Sequence, residues 1–234
     1  MLHPTGLFQR SAQWELRPAV FGQQLFKGWG IWGNSLTSLP SLRIVSHMSE
    51  ADIPAPIAAI FNTDSLAGLG PQRRPDALSE SDVRARTDAA MQDSGTSAAT
   101  LDLILSAALL WHDHLDASHA VSQDLPSSSG SFLHGIMHRR EPDYSNAKYW
   151  FNRAGDHPTF PDIAERVMTF LDEVGEPELR DQLIRDGKWD SFGMVDACAA
   201  AERGRLSSAQ GELLKLIQQI EIQSLVEAFC RGEG

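Results

Sequence analysis

Five of the eight histidines in this 234-residue chain fall between positions 112 and 138. His134 and His138 are four residues apart, so on a helix they project from one face, with Glu141 three residues further along. His112, Asp116 and His119 share a face of the preceding segment by the same rule. Imidazole nitrogens and carboxylate oxygens are ligands for zinc, iron or manganese, which makes His112, Asp116, His119, His134 and His138 candidate ligands of a divalent transition metal. In such a site Asp113 or Glu141 would be the candidate catalytic base. The pattern is not that of a zinc metalloprotease, because Gly135 stands where His-Glu-x-x-His places its glutamate. The same spacing also has a plainer reading, in which the imidazoles pack between helices and hydrogen-bond to Asp113, Asp116 or Asp143, as buried polar groups must. An i, i+4 histidine pair taken alone weighs towards that plainer reading.

A second group of residues follows directly. Arg139, Arg140, Asn146, Tyr149 and Arg153, with Lys148, Trp150 and Phe151, combine guanidinium forks with aromatic rings, the groups that recognise a small anionic or sugar-like ligand. The competing expectation is structural: Trp150 and Phe151 anchor the core, and the arginines occupy a solvated rim. No Ser-His-Asp spacing or phosphate-cradling loop stands out, and Gly28-Trp-Gly-Ile-Trp-Gly33 has the wrong spacing for a dinucleotide fingerprint.

The elements that must position these residues are helices. Apolar Leu101, Ile104, Leu105, Ala108, Leu109 and Trp111 step at three and four residues, predicting a helix pressed into a core. A second helix is expected over 115–123 and a third over 132–140, stopped by Pro142. Asp143 is placed to cap a helix through Ala154, closed by Gly155. Pro161 suits the first turn of a helix ending at Gly175. Further helices are expected over 178–186, 192–203 and 207–231, the last so broadly apolar that it must lie between others. Upstream, a short helix over 50–61 interrupted by Pro54 and Pro56, a Gly/Pro-rich loop over 68–75, and a polar helix from Ser79 or Ser81 to Gln92 complete the order. No stretch alternates with period two, so strands are at most incidental and the fold class is all-α, a bundle of stacked helical hairpins.

The segment Trp111-His-Asp-His-Leu-Asp-Ala-Ser-His-Ala-Val-Ser-Gln123, followed by Ser131-Phe-Leu-His-Gly-Ile-Met-His-Arg-Arg-Glu-Pro-Asp-Tyr-Ser-Asn-Ala-Lys-Tyr-Trp-Phe-Asn-Arg-Ala154, resembles an uncharacterised family of bacterial and fungal helical proteins. That resemblance implies a fold and the place of a site, without a reaction. The second segment also resembles a tetratricopeptide-type hairpin, in which a small residue lets two helices approach closely. By that resemblance Ala147 plays the small role, and Ala117 plays it in the preceding hairpin. No 34-residue period is sustained, so a hairpin core rather than a repeat array is expected.

Composition bounds the partners. The net charge of −11 repels phosphate backbones, which argues against nucleic acid. The longest apolar run is far shorter than the ~20 residues that span a bilayer, so no membrane helix is expected. Cys198 and Cys230 sit in apolar helical patterns as small hydrophobes, which suits a reducing, cytoplasmic setting. Residues 1–47 differ in character, with Arg10, Arg17, Lys27 and Arg43 against Glu15 alone. This irregular leader either acts as an organellar transit peptide or precedes a start at Met48, which leaves 48–234 as a single helical domain. The functional readings are then a helical scaffold for a protein partner, a small-molecule binder, or a metal-dependent enzyme built on the histidine cluster.

Overall fold

Side chains that cap helix ends set most of the boundaries. The computed structural model describes residues 53–92 and 97–233; the expectations for the leader and for Met48 lie outside the described residues. The short α1 (Ala55–Ala58) runs into a 3-10 turn over Ala59–Phe61, and α2 spans Glu80–Gln92. Ser97 accepts from Thr100 N–H to start α3 (Ala98–Trp111), and α4 covers Leu115–Ser122. Ser127 accepts from Gly130 N–H and opens α5 (Ser128–Arg140) one turn before the expected start at Phe132, because the Ser-rich stretch taken for loop supplies the cap. Asp143 caps α6 (Tyr144–Ala154) as expected. Helix α7 (Phe160–Val174) ends on the left-handed Gly175. Ser207 and Gln210 form a reciprocal capping box for α10 (Ser208–Arg231).

One element departs from expectation. The helix expected over 178–186 is α8 (Pro177–Leu183), which stops where β1 (Ile184–Arg185) pairs antiparallel with β2 (Lys188–Trp189). Asp186 and Gly187 both have positive φ, 53° and 74°, the requirement of a two-residue hairpin turn, and Asp-Gly was the signal for it. The turn folds Trp189 back into the core, and Asp190 then caps α9 (Ser191–Glu202).

The described residues are all-α apart from this ribbon, and the helices share one hydrophobic core. Helices α3 and α4 form one hairpin and α5 and α6 the next. In the first, Ser106 and Ser118 are sealed and bonded across the crossing at 2.9 Å, so Ser118 sits at the closest approach while Ala117 is only partly buried. In the second, Ala147 is fully buried, and a Cβ on Gly135 would lie 2.8 Å from the Phe151 ring. Gly135 is therefore a packing residue, where only hydrogen lets α5 and α6 close. Helix α10 is buried along nearly its whole length, including Gln218, Glu221 and Glu227. No helix among the described residues is long and apolar enough to cross a membrane.

Candidate metal centre

Helix α4 contributes His119, and α5 contributes His134 and His138 one turn apart; adjacent packing of the two helices brings the three rings into a triangle. Ring centroids are 4.6 Å apart for His119–His134, 5.4 Å for His119–His138 and 4.8 Å for His134–His138. One nitrogen from each ring lies within 4.8 Å of the others. Tetrahedral bonds of about 2.0–2.1 Å place nitrogens roughly 3.3 Å apart, so this triangle needs only small rotations to close on an ion. His134 and His138 are buried, and His119 is half-buried.

Proton accounting sharpens the geometry. His138 Nδ1 is 3.1 Å from Glu141 Oε2, and a carboxylate can only accept, so Nδ1 carries the proton and Nε2 presents a lone pair. That lone pair faces His134 Nε2 at 3.0 Å. If His134 is protonated on Nε2 it satisfies this contact, but its sealed Nδ1, which makes no hydrogen bond of full geometry, is then an orphaned acceptor. If His134 is protonated on Nδ1, towards the Ser122 backbone that favours its protonation, two lone pairs oppose each other. Neither neutral tautomer satisfies both nitrogens, whereas a cation between the Nε2 atoms does, either a metal ion or the proton of a His138 imidazolium paired with Glu141. The Glu141–His138 contact is also the carboxylate–imidazole pairing that orients metal ligands and raises their basicity.

The surroundings of the two buried rings favour their neutral form. Burial, with smaller contributions from His138 and His119, lowers the His134 pKa to about 4. Burial likewise lowers that of His138, against the opposing pull of Glu141. The Trp150 indole stacks on His134 with centroids 3.8 Å apart and planes at 19°, and the Asn146 amide lies 3.1 Å from His138 Nε2.

The remaining residues singled out by spacing are placed elsewhere. His112 is not near the triangle: its Nε2–H donates to the Ile60 carbonyl at 2.7 Å and its Nδ1 accepts from Leu78 N–H at 3.1 Å, so both nitrogens are occupied. Asp116 is exposed on α4. Asp113 lies between Arg140 and Arg74, at 2.6 and 2.8 Å, and is no free base. Burial opposes its charge, but hydrogen bonds from Arg74 and the Arg140 guanidinium prevail and hold its carboxyl below the usual range. Glu141 orients His138.

The second group also separates. Arg139 and Arg140 are fully buried rather than on a rim, because each finds a sealed carboxylate, Glu221 and Asp113 respectively. Tyr149 is 53 % exposed. Asn146 and Arg153 alone of the five remain beside the triangle, joined by Trp150, which is a half-buried stacking partner while Phe151 is the core anchor. Arg74 and Glu221 were not legible as partners, since neither lies near 112–141 in sequence.

No family model, curated protein or solved structure matches this chain.

A serine–histidine contact outside the triangle has a different character. Thr159 N–H donates to His157 Nδ1 at 3.3 Å, so His157 Nε2–H points at Ser129 Oγ, 2.9 Å away. A nucleophilic serine needs the reverse, an imidazole lone pair facing its hydroxyl. His157 is instead a buried structural group, and burial lowers its pKa to about 4 from an ordinary 6.5. The unfolded chain therefore binds a proton that the folded chain refuses between those values. The stabilisation is complete above pH ~6.5 and is lost as pH falls towards ~4, up to roughly 3 kcal/mol. Urea unfolding at pH 7 and pH 4.5 should show a smaller acid loss in His157→Phe than in wild type; equal losses would remove His157 from the account.

Proposed function

We propose that this protein is a metal-dependent enzyme that binds one divalent transition metal, of the zinc type, through His119, His134 and His138. The observation that carries the reading is the triangle of imidazole nitrogens, one from each ring within 4.8 Å of the others, with the His134 and His138 Nε2 atoms 3.0 Å apart. Three donors among the described residues match catalytic zinc, which has three protein ligands, rather than structural zinc, which is closed by four. Held by these three nitrogens, such an ion would leave room for water or substrate and would supply Lewis acidity, to acidify the water or polarise a carbonyl or phosphoryl oxygen. The protein's own residues orient the ligands: Glu141 fixes His138, Trp150 covers the face of His134, and Asn146 borders the position beside His138.

Protein purified without a histidine tag should carry about one zinc-type ion per chain or take it up on titration. Saturation to a thousandfold excess over Kd should raise unfolding free energy by about 4 kcal/mol. His119→Ala is the variant of choice, because a half-buried position tolerates truncation better than the sealed His134. It should retain its far-UV spectrum and lose most of the metal affinity. Absence of stoichiometric metal, together with melting temperatures unmoved by zinc or manganese, would overturn the reading. Unchanged affinity in His119→Ala would overturn the three-histidine assignment.

A further inference from the structure

We infer that the substrate taken by this centre carries an oxyanion, a carboxylate or a phosphate ester, which docks on the Arg153 guanidinium; the inference rests on the metal reading above. Asn146, Trp150 and Arg153 are spaced i, i+4 and i+7 on α6 and so form one stripe. The first two members of that stripe touch the triangle, through His138 and His134. The third lies over the Trp150 ring, with its guanidinium carbon 5.1 Å from the centroid of the same indole that stacks on His134.

Arg153 differs from the other arginines close to the centre. Arg139 and Arg140 are consumed by buried carboxylates, at 2.6 Å in each case. Arg153 is exposed and, among the described residues, has contacts to the Trp150 and Tyr149 rings in place of a carboxylate. Contact with two rings restrains its planar fork, and its exposure leaves N–H groups to face solvent, the state in which it binds an oxyanion bidentately at low entropic cost. A metal ion at the triangle adds a second positive charge on the same stripe, and the two together concentrate anions at the site. The ligand that fits is a small molecule with its oxyanion on Arg153 and its polarised oxygen at the fourth metal position.

Cobalt-loaded full-length protein, titrated with phenyl phosphate, benzoate and neutral benzamide while visible absorption reports the metal's surroundings, tests this directly. Wild type, Arg153→Gln and Arg153→Lys should load cobalt equally, since the side chain is not a ligand. The two anions should bind more tightly than benzamide in wild type. Arg153→Gln should weaken anion binding by about ten- to hundredfold, the value of a charge-assisted contact, with benzamide unaffected and Arg153→Lys in between. The stronger of the two anions identifies the oxyanion class. Equal anion affinity in wild type and Arg153→Gln, or no preference over benzamide, would overturn the inference while leaving the metal reading standing. Failure of cobalt to load would overturn the metal reading itself, and the inference with it.

Discussion

Glu221→Gln is expected to cost about 3–5 kcal/mol, the range found when one member of a buried ion pair is removed. Arg139 crosses from α5 to α10 and grips both Glu221 oxygens, at 2.6 and 3.1 Å, with no solvent exposure on either side chain. Burial works against the Arg139 charge, but the Glu221 carboxylate more than offsets it, so the pKa of Arg139 is raised. A guanidinium cannot shed its proton at accessible pH, and the glutamine would leave that charge facing only neutral amide oxygens, its own and that of Gln218, with no counter-charge. Arg139→Met is milder for a physical reason: the stranded Glu221 can take up a proton, which burial already favours. Its cost should therefore be smallest at acid pH and deepen as pH rises above the ordinary carboxylate range. Chemical denaturation of both variants from pH 5 to pH 8 decides the matter; equal, pH-independent losses would show that the charges are not what the two helices exchange.

The second large effect is expected at Asp113, whose carboxylate is shared by Arg74 and Arg140. Asp113→Asn should destabilise by a further ~3–5 kcal/mol class of loss, because Arg140, fully buried, keeps its charge and loses its counterion. The position also explains why a non-glycine residue ends α3. His114 N–H bonds to the Leu109 carbonyl and Asp113 N–H to that of Leu110, closing the helix with Asp113 at φ 63°, where glycine is usual. Left-handed backbone costs an ordinary residue about 1–2 kcal/mol, and the two guanidiniums outweigh it. Arg74 extends the network to the loop before α2, donating backbone and side-chain N–H groups to Asp113 and further bonds to the Trp111 and Ser65 carbonyls. Loss of the aspartate should therefore free this loop, and limited trypsin digestion should cut Asp113→Asn after Arg73 well before wild type, Pro75 protecting the bond after Arg74. An unchanged denaturation midpoint and digestion pattern would refute the role.

These two networks bear on the histidine triangle because they flank it. Arg139 and Arg140 follow His138 directly on α5, so their sealed pairings with α10 and with the end of α3 fix that helix. A site whose ligands must hold their geometry closely is best carried on such a fixed element. The same helix places Gly135 against Phe151 of α6, which brings Asn146 and Trp150 to the imidazoles.

The helices themselves were legible because each carries its own instructions. Three- and four-residue apolar steps, Asp143 and Ser207 at N-caps, and Gly155 and Gly175 at C-termini are local signals, as was the i, i+4 relation of His134 and His138. The misses were also local where they concerned elements: the serines before Phe132 cap α5, and Asp186-Gly187 turns a hairpin. Tertiary structure alone decided which faces meet. Spacing grouped His112 and Asp116 with His119, but helix α3 ends between them at Asp113, so His112 turns to Ile60 and Leu78 while His119 turns to α5. Spacing set Arg139 and Arg140 on a rim because their carboxylates are distant in the chain, 82 residues away for Glu221. Periodicity fixes the direction of a side chain about its own helix axis, whereas the group it meets depends on how helices pack, and that is settled by core contacts and buried charges spread over the whole chain.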